Sequence, residues 1–192
     1  MAKLIYGVAT NSKGRYKATI DGKNTKSYDT WRNMLMRAYC PKFHVRQPTY
    51  IGCLVADDWL EYQEFAEWFE GHEYSDYGYQ LDKDLLIPGN KIYTPDLCVF
   101  VPQELNTLLT DRGNARGQYP QGVCFNKQYN KFMANMGING KRKTLGYYDT
   151  EQEAYNAYKE AKERHVKNTA LKWANAIQWD VFKALMNWEL SL

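Results

Sequence analysis

The chain has 192 residues, and what it lacks bounds it first. It contains no run of about 18 apolar residues, so no helical membrane span is expected. Its N-terminal stretch, MAKLIYGVATNSKGRYK, has no apolar core of the kind a signal peptide carries. A cytoplasmic protein is therefore expected, in which Cys40, Cys53, Cys98 and Cys124 are thiols or metal ligands rather than disulfides. No C-x-x-C pair occurs. Histidine is scarce, with only His44, His72 and His165, and few positions offer an imidazole base. Charge of one sign is missing locally. From Arg112 to Tyr148 there are seven basic residues (Arg112, Arg116, Lys127, Lys131, Lys141, Arg142, Lys143) and no acidic one. From Asp57 to Asp84 there are ten acidic residues and one basic residue, Lys83. The net charge of +3 does not by itself point to nucleic acid, but this distribution is compatible with it. A solvated face accounts for the basic run equally simply, and for the acidic run more simply.

Aromatics are abundant at 15%, which lets small modules build a core. Residues 4–28 alternate loosely, and Asp21-Gly22 between RYKATI and KNTKSY predicts a hairpin. Asp29-Thr30 offers an N-cap for a helix over 30–40, with Trp31, Met34, Leu35 and Ala38 on one face. PKFHVRQPTYIG holds two prolines and reads as a loop. Asp57 or Asp58 then caps a helix ended by Gly71, with Trp59, Tyr62, Phe65, Ala66 and Phe69 on its core face. YGYQLDKDLLIPGNKIYTPDLCVFVPQELNTLL reads as strand, loop through Pro88-Gly89-Asn90, strand near CVFV, and helix from about Pro102. The polar, glycine-rich RGNARGQYPQ supplies a linker.

Residues 122–126, 130–138 and 141–148 read as three strands, with a type I′ turn at Asn139-Gly140. Thr150 and Glu153 form a capping box for the next helix, whose Ala154, Ala157, Tyr158 and Ala161 lie on the sheet. Beyond it LKWANAIQWDVFKALMNWEL continues helically, to pack on the rest of the protein or on a second copy as a homodimer. The first piece, GVATN…RYKATI…GK…SYDT, echoes GVCFN…KFMANM…GK…GYYDT and raises the possibility of a repeat.

Gly122-Val123, Lys131-Phe132-Met133-Ala134, Arg142-Lys143-Thr144-Leu145-Gly146, Asp149-Thr150, Glu153-Ala154 and Ala157-Tyr158 follow one another at the spacing of a known module. In these the stretch 119–161 resembles the Apetala/ethylene-response-factor DNA-binding domain, which also occurs in phage and bacterial homing endonucleases. The resemblance implies a three-stranded sheet laid in the major groove of double-stranded DNA. On that pattern Asn126, Lys131, Asn135, Arg142 and Thr144 project toward DNA, with Lys127 and Lys141 beside them. Lys and Arg would hold phosphates, while Asn and Arg would reach base edges. Cys124 and Gly137 stand where plant members usually carry arginine, so the plant target sequence does not transfer.

QLDKDLLIPGNKIYTPDLCVF, preceded by TWRNMLMRAYC and ADDWLEYQEFAEWF, resembles the H-N-H nucleases of phage homing elements. That family uses a histidine base and holds one divalent ion, Mg2+ or Mn2+, through Asp and Asn. Asp82 and Gly89-Asn90-Lys91 match, but Lys83 takes the histidine position and Leu97 that of the final asparagine. Asp82, Asp84 and Asn90 would then hold the metal and His44 would supply the base. Independently, Cys40, His44, Cys53 and Cys98 have the chemistry of a structural Zn2+ site, though buried free thiols explain them as well.

The expected architecture is α+β. It comprises a helix-rich H-N-H-like module with β-hairpins and a ββα-like element (1–112), a linker (113–118), a three-stranded sheet packed on a helix (119–166), and a helical tail (167–192). Three functions fit: a phage-type homing endonuclease cutting or nicking DNA in a bacterial host's cytoplasm; a catalytically dead DNA-binding regulator or anti-host factor; and a protein-interaction module with an acidic, DNA-like surface.

Overall fold

A computed structural model describes residues 4–109, 118–138 and 140–190. The chain is mixed α+β and divides into two compact units, Met1–Gln103 and Glu104–Leu192. Arg112, Arg116 and most of the expected linker lie outside the described residues.

The first unit opens with a two-residue hairpin, β1 (Thr19–Ile20) and β2 (Lys23–Asn24). Asp21 (φ 49°) and Gly22 (φ 74°) both take positive φ, as a type I′ turn requires. The echo of the C-terminal stretch ends there, since no third strand joins this hairpin among the described residues.

Helix α1 spans Lys26–Tyr39, four residues earlier than the sequence predicts. Thr25 is its cap, accepting the Tyr28 amide through Oγ1. Asp29 instead accepts a 2.7 Å bond from Asn24 Nδ2. The two-proline segment is not a plain loop. Pro41 starts a short helix, α2 (Pro41–Arg46), at the position where a missing N–H costs nothing. Pro48 likewise opens a 3-10 turn, Pro48–Tyr50.

The expected cap at Asp57 or Asp58 moves as well. A 3-10 turn covers Asp57–Leu60, and helix α3 begins after Glu61 and runs Tyr62–Gly71. Glu61 accepts hydrogen bonds from the Thr10 hydroxyl and from the Ser12 amide (2.9 Å) and hydroxyl (3.1 Å). This clasp straps the N-terminal segment to the start of α3. The expected aromatic stripe is core: Trp59, Tyr62, Phe65, Ala66 and Phe69 are all buried, with Trp31 and Phe100. Trp31 Nε1 donates to the Trp59 carbonyl at 2.7 Å, so its one polar atom is satisfied inside that core.

Two small sheets complete the unit. Strands β3 (Leu54–Val55) and β5 (Ile92–Tyr93) pair in parallel, a long-range pairing that local sequence does not announce. Strands β4 (Gln80–Asp82) and β6 (Val99–Val101) pair antiparallel, as the strand–loop–strand reading predicts.

The second unit begins at Glu104, within α4 (Gln103–Leu109). The sheet follows, with β7 (Val123–Asn126), β8 (Lys131–Ile138) and β9 (Lys141–Tyr148) in the order β7-β8-β9. Asn139 of the expected turn lies outside the described residues, while Gly140 has φ 74°. Helix α5 (Glu151–Trp173) packs across this sheet, and Thr150 with Glu153 closes the predicted capping box. Ala154, Tyr155 and Tyr158 meet Val123, Ala134 and Met136 in the core between them. Gly122 makes the approach possible. It has φ 79°, and a Cβ placed on it would stand 2.0 Å from Cδ2 of the Tyr158 ring.

Helix α5 runs 23 residues without a break, so the helix on the sheet and the start of the expected helical tail are one element. Its last turns hold α4, with Glu104 Oε2 accepting from Lys172 Nζ (2.6 Å) and Trp173 Nε1 (2.9 Å). The tail turns at 174–178 into α6 (Trp179–Met186) and packs back on α5 of its own chain. Lys159 Nζ binds the Leu190 carbonyl at 2.9 Å there.

Candidate nucleic-acid interface

In an antiparallel sheet, directly paired residues point to one face. The pairs Val123↔Ala134 and Phe132↔Tyr148 face α5. The pairs Cys124↔Met133, Asn126↔Lys131, Met133↔Tyr147, Asn135↔Thr144 and Gly137↔Arg142 therefore share the opposite face. Side-chain contacts agree. Asn135 Nδ2 donates to Cys124 Sγ at 3.5 Å, and Thr144 Oγ1 lies 3.9 Å from Met133 Sδ.

The register thus brings Asn126, Lys131, Asn135, Arg142 and Thr144 together on the face away from α5. Lys127 follows in the exposed β7–β8 turn. Lys141 pairs with Ile138 and Lys143 with Met136, so both fall on the other face by parity, though both are exposed. Asn135 is 8% exposed, so its amide is spent mainly on its neighbours. Arg142 stands opposite Gly137, which has no side chain to cover it, and makes no ion pair among the described residues. Lys131 pairs with Asp149 at 3.0 Å, both exposed. Such a surface pair is worth under about 1 kcal/mol and yields readily to a phosphate.

A bulge underlies this arrangement. Ala134 pairs with Gly146, but Asn135 pairs with Thr144, which leaves Leu145 as an extra residue in β9. Thr144 and Tyr147 are three apart and would face opposite sides of a regular strand. The extra residue puts both on the outer face while Leu145 packs into the core. Strict alternation along β9 does not reveal this. It also hides two aromatics from sequence reasoning. Tyr147 comes out on the outer face, and Tyr129 folds against it from the turn with ring centroids 4.9 Å apart.

The nuclease-like constellation is placed in the first unit. Asp82 ends β4, and its Oδ1 accepts the amides of Asp84 (2.9 Å) and Leu85 (2.8 Å). Burial, then the neighbouring Asp84 carboxylate, pushes Asp82 up to about 6. Two adjoining carboxylates attract a cation, and one is built in. Lys83, only 6% exposed, places Nζ 3.0 Å from Asp84 Oδ2 and 2.8 Å from the Asn90 carbonyl, over the Tyr93 ring. The Asn90 side chain is consumed by its own loop. Its Nδ2 donates to the carbonyls of Lys83 (2.7 Å) and Ile92 (2.8 Å), and its Oδ1 accepts the Ile92 amide (3.0 Å). This donor set does not fit a divalent ion held by Asp82, Asp84 and Asn90 together.

His44 does share a helical turn with Cys40, whose carbonyl accepts the His44 amide at 3.1 Å. Its ring, however, meets the Arg37 carbonyl through Nε2 at 2.8 Å. Cys53 and Cys98 are buried in the aromatic core, and burial pushes the Cys98 thiol up to about 12. Among the described residues no three His, Cys, Asp or Glu are grouped to hold a metal, so Cys40, His44, Cys53 and Cys98 are not assembled as a zinc cage. No described helix is long and apolar enough to cross a membrane. No protein-family model, curated protein or solved structure matches the chain.

Proposed function

We propose that the chain is a sequence-specific double-stranded DNA-binding protein that grips DNA with the outer face of β7-β8-β9. The supporting observation is the register, which gathers Asn126, Lys131, Asn135, Arg142 and Thr144 on one face of an acid-free sheet. Strands lie about 4.8 Å apart, so three span about 10 Å between outer axes. The major groove is about 12 Å wide and admits such a face. Arg142, in no ion pair among the described residues, is suited to a guanine edge, and Lys127 and Lys131 to phosphates.

In this reading the Met1–Gln103 unit has the outline of a metal-dependent nuclease and does not cut. The Lys83 ammonium supplies the charge that a divalent ion would bring, and Asn90 braces the loop. The first test is duplex binding against salt concentration. Wild type should show a log–log slope of about −2 from roughly two phosphate contacts. Arg142→Ala with Lys131→Ala should weaken binding at least about tenfold, and an unchanged affinity refutes the sheet as the DNA-gripping face. The second test is plasmid nicking with Mg2+ or Mn2+. Nicking that disappears in Asp82→Ala would overturn the non-cutting reading and make the chain a nuclease.

A further inference from the structure

The outer face has an apolar row that the basic residues flank. Cys124, Met133 and Tyr147 lie side by side across the three strands. Tyr129 closes the end of the row, edge-on to Tyr147 at 67°. The two rings are 55% and 42% exposed, in a unit that buries Tyr155 and Tyr158. Neither belongs to the core beneath the sheet. Their backbone is held: the Tyr129 amide donates to Asn126 Oδ1 at 3.1 Å, and Tyr147 is fixed opposite Met133. A preformed apolar strip of this kind, set beside Arg142, Thr144 and Lys131, would be desolvated by whatever covers the sheet. The surrounding positive charge selects a polyanion as that cover.

The apolar group that duplex DNA presents in its major groove is the 5-methyl of thymine. We infer that Met133 and Tyr147, braced by Tyr129, form a thymine-methyl contact that contributes to base specificity. This rests on the DNA-binding reading above. The polar row at Thr144 and Arg142 reads donors and acceptors, while the apolar row distinguishes T from C and from uracil.

The test begins with duplexes selected by the full chain from a randomised pool. Each thymine of the selected site is then replaced, one at a time, by deoxyuridine, which removes only the methyl. At one or two positions wild-type affinity should fall about fourfold, the ratio that corresponds to about 0.8 kcal/mol for one buried methyl. In Met133→Ala/Tyr147→Ser the same replacements should change affinity less than about 1.5-fold. The wild-type arm stands alone if that variant does not fold. A selected site bound equally well with uracil throughout, or a site with no required thymine, overturns the inference and leaves DNA binding intact. Failure to bind any duplex in a salt-dependent manner overturns the DNA-binding reading and the inference with it.

Discussion

Replacing Gly122 by alanine should cost the second unit more than any surface change. Two penalties add. The backbone at φ 79° disfavours a Cβ by about 1–2 kcal/mol. The new methyl also lands 2.0 Å from Cδ2 and 2.3 Å from Cγ of Tyr158, a ring buried between sheet and helix. Pushing that ring aside costs about 1–3 kcal/mol in a packed core. The sum, about 2–5 kcal/mol, applies to a unit of about 90 residues. Each kcal/mol there lowers Tm by roughly 4–8 °C, so calorimetry should show the unit's transition at least about 8 °C lower. The Gly122 carbonyl also accepts the Asn135 amide at 2.8 Å, and DNA binding should weaken at temperatures where wild type still binds. A double-mutant cycle separates the penalties. Tyr158→Ala alone costs about 3–5 kcal/mol by analogy with buried aromatics. In its background Gly122→Ala loses the ring clash and retains only the backbone part. The pair should therefore cost about 1–3 kcal/mol less than the sum of the singles. Strict additivity would refute the close approach of Tyr158 as the reason for glycine.

Thr150→Ala removes the α5 capping box and should destabilise the second unit by about 0.5–2 kcal/mol, read as a lower Tm with unchanged helix content at 20 °C. Glu61→Gln should destabilise the first unit at pH 7 by about 1 kcal/mol, measured by urea unfolding. Burial raises the Glu61 carboxyl, but the hydrogen bonds from Thr10 and Ser12 outweigh it and hold the pKa below the usual value. The ionised form is therefore favoured in the fold. Its contribution is complete above about pH 4.5 and fades as pH falls through the lowered value, so the wild-type and Glu61→Gln curves should converge in acid. Lys83→Met should destabilise the first unit by about 1–2 kcal/mol, because the Asn90 carbonyl loses its donor while the half-exposed Asp84 carboxylate is left to water. A variant as stable as wild type would show that the ammonium is not the counter-ion described.

Features carried by local chemistry were legible in the sequence. The Asp21-Gly22 turn, the Thr150/Glu153 box, the aromatic face of α3 and the three C-terminal strands each depend on residues within a few positions of one another. The caps of α1 and α3 were misplaced for a physical reason. Asp29 and Asp57 are good capping residues, but Thr25 is held by Ala18 across the hairpin and Glu61 by Thr10, distant in sequence. Pro41 and Pro48 read as breakers because a proline's role depends on whether it starts a helical turn or interrupts one. At the candidate interface the five outward residues were legible from alternation and resemblance. Tyr147 was not, because a bulge is a property of pairing rather than of one strand. The burial of Lys83, which changes the meaning of the Asp82–Asp84 pair, was equally invisible in a locally acidic stretch.

The extra residue at Leu145 has a consequence beyond packing. It acts as a phase shift in β9: residues before it and after it reach the outer face in opposite parity. A deletion at 145 or 146 would leave every remaining letter of the strand in place and turn Tyr147 inward or Arg142 and Thr144 away. Chain length at this one point therefore works as a selector for which side chains stand on the outer face. Altering it would change that face without altering any residue on it.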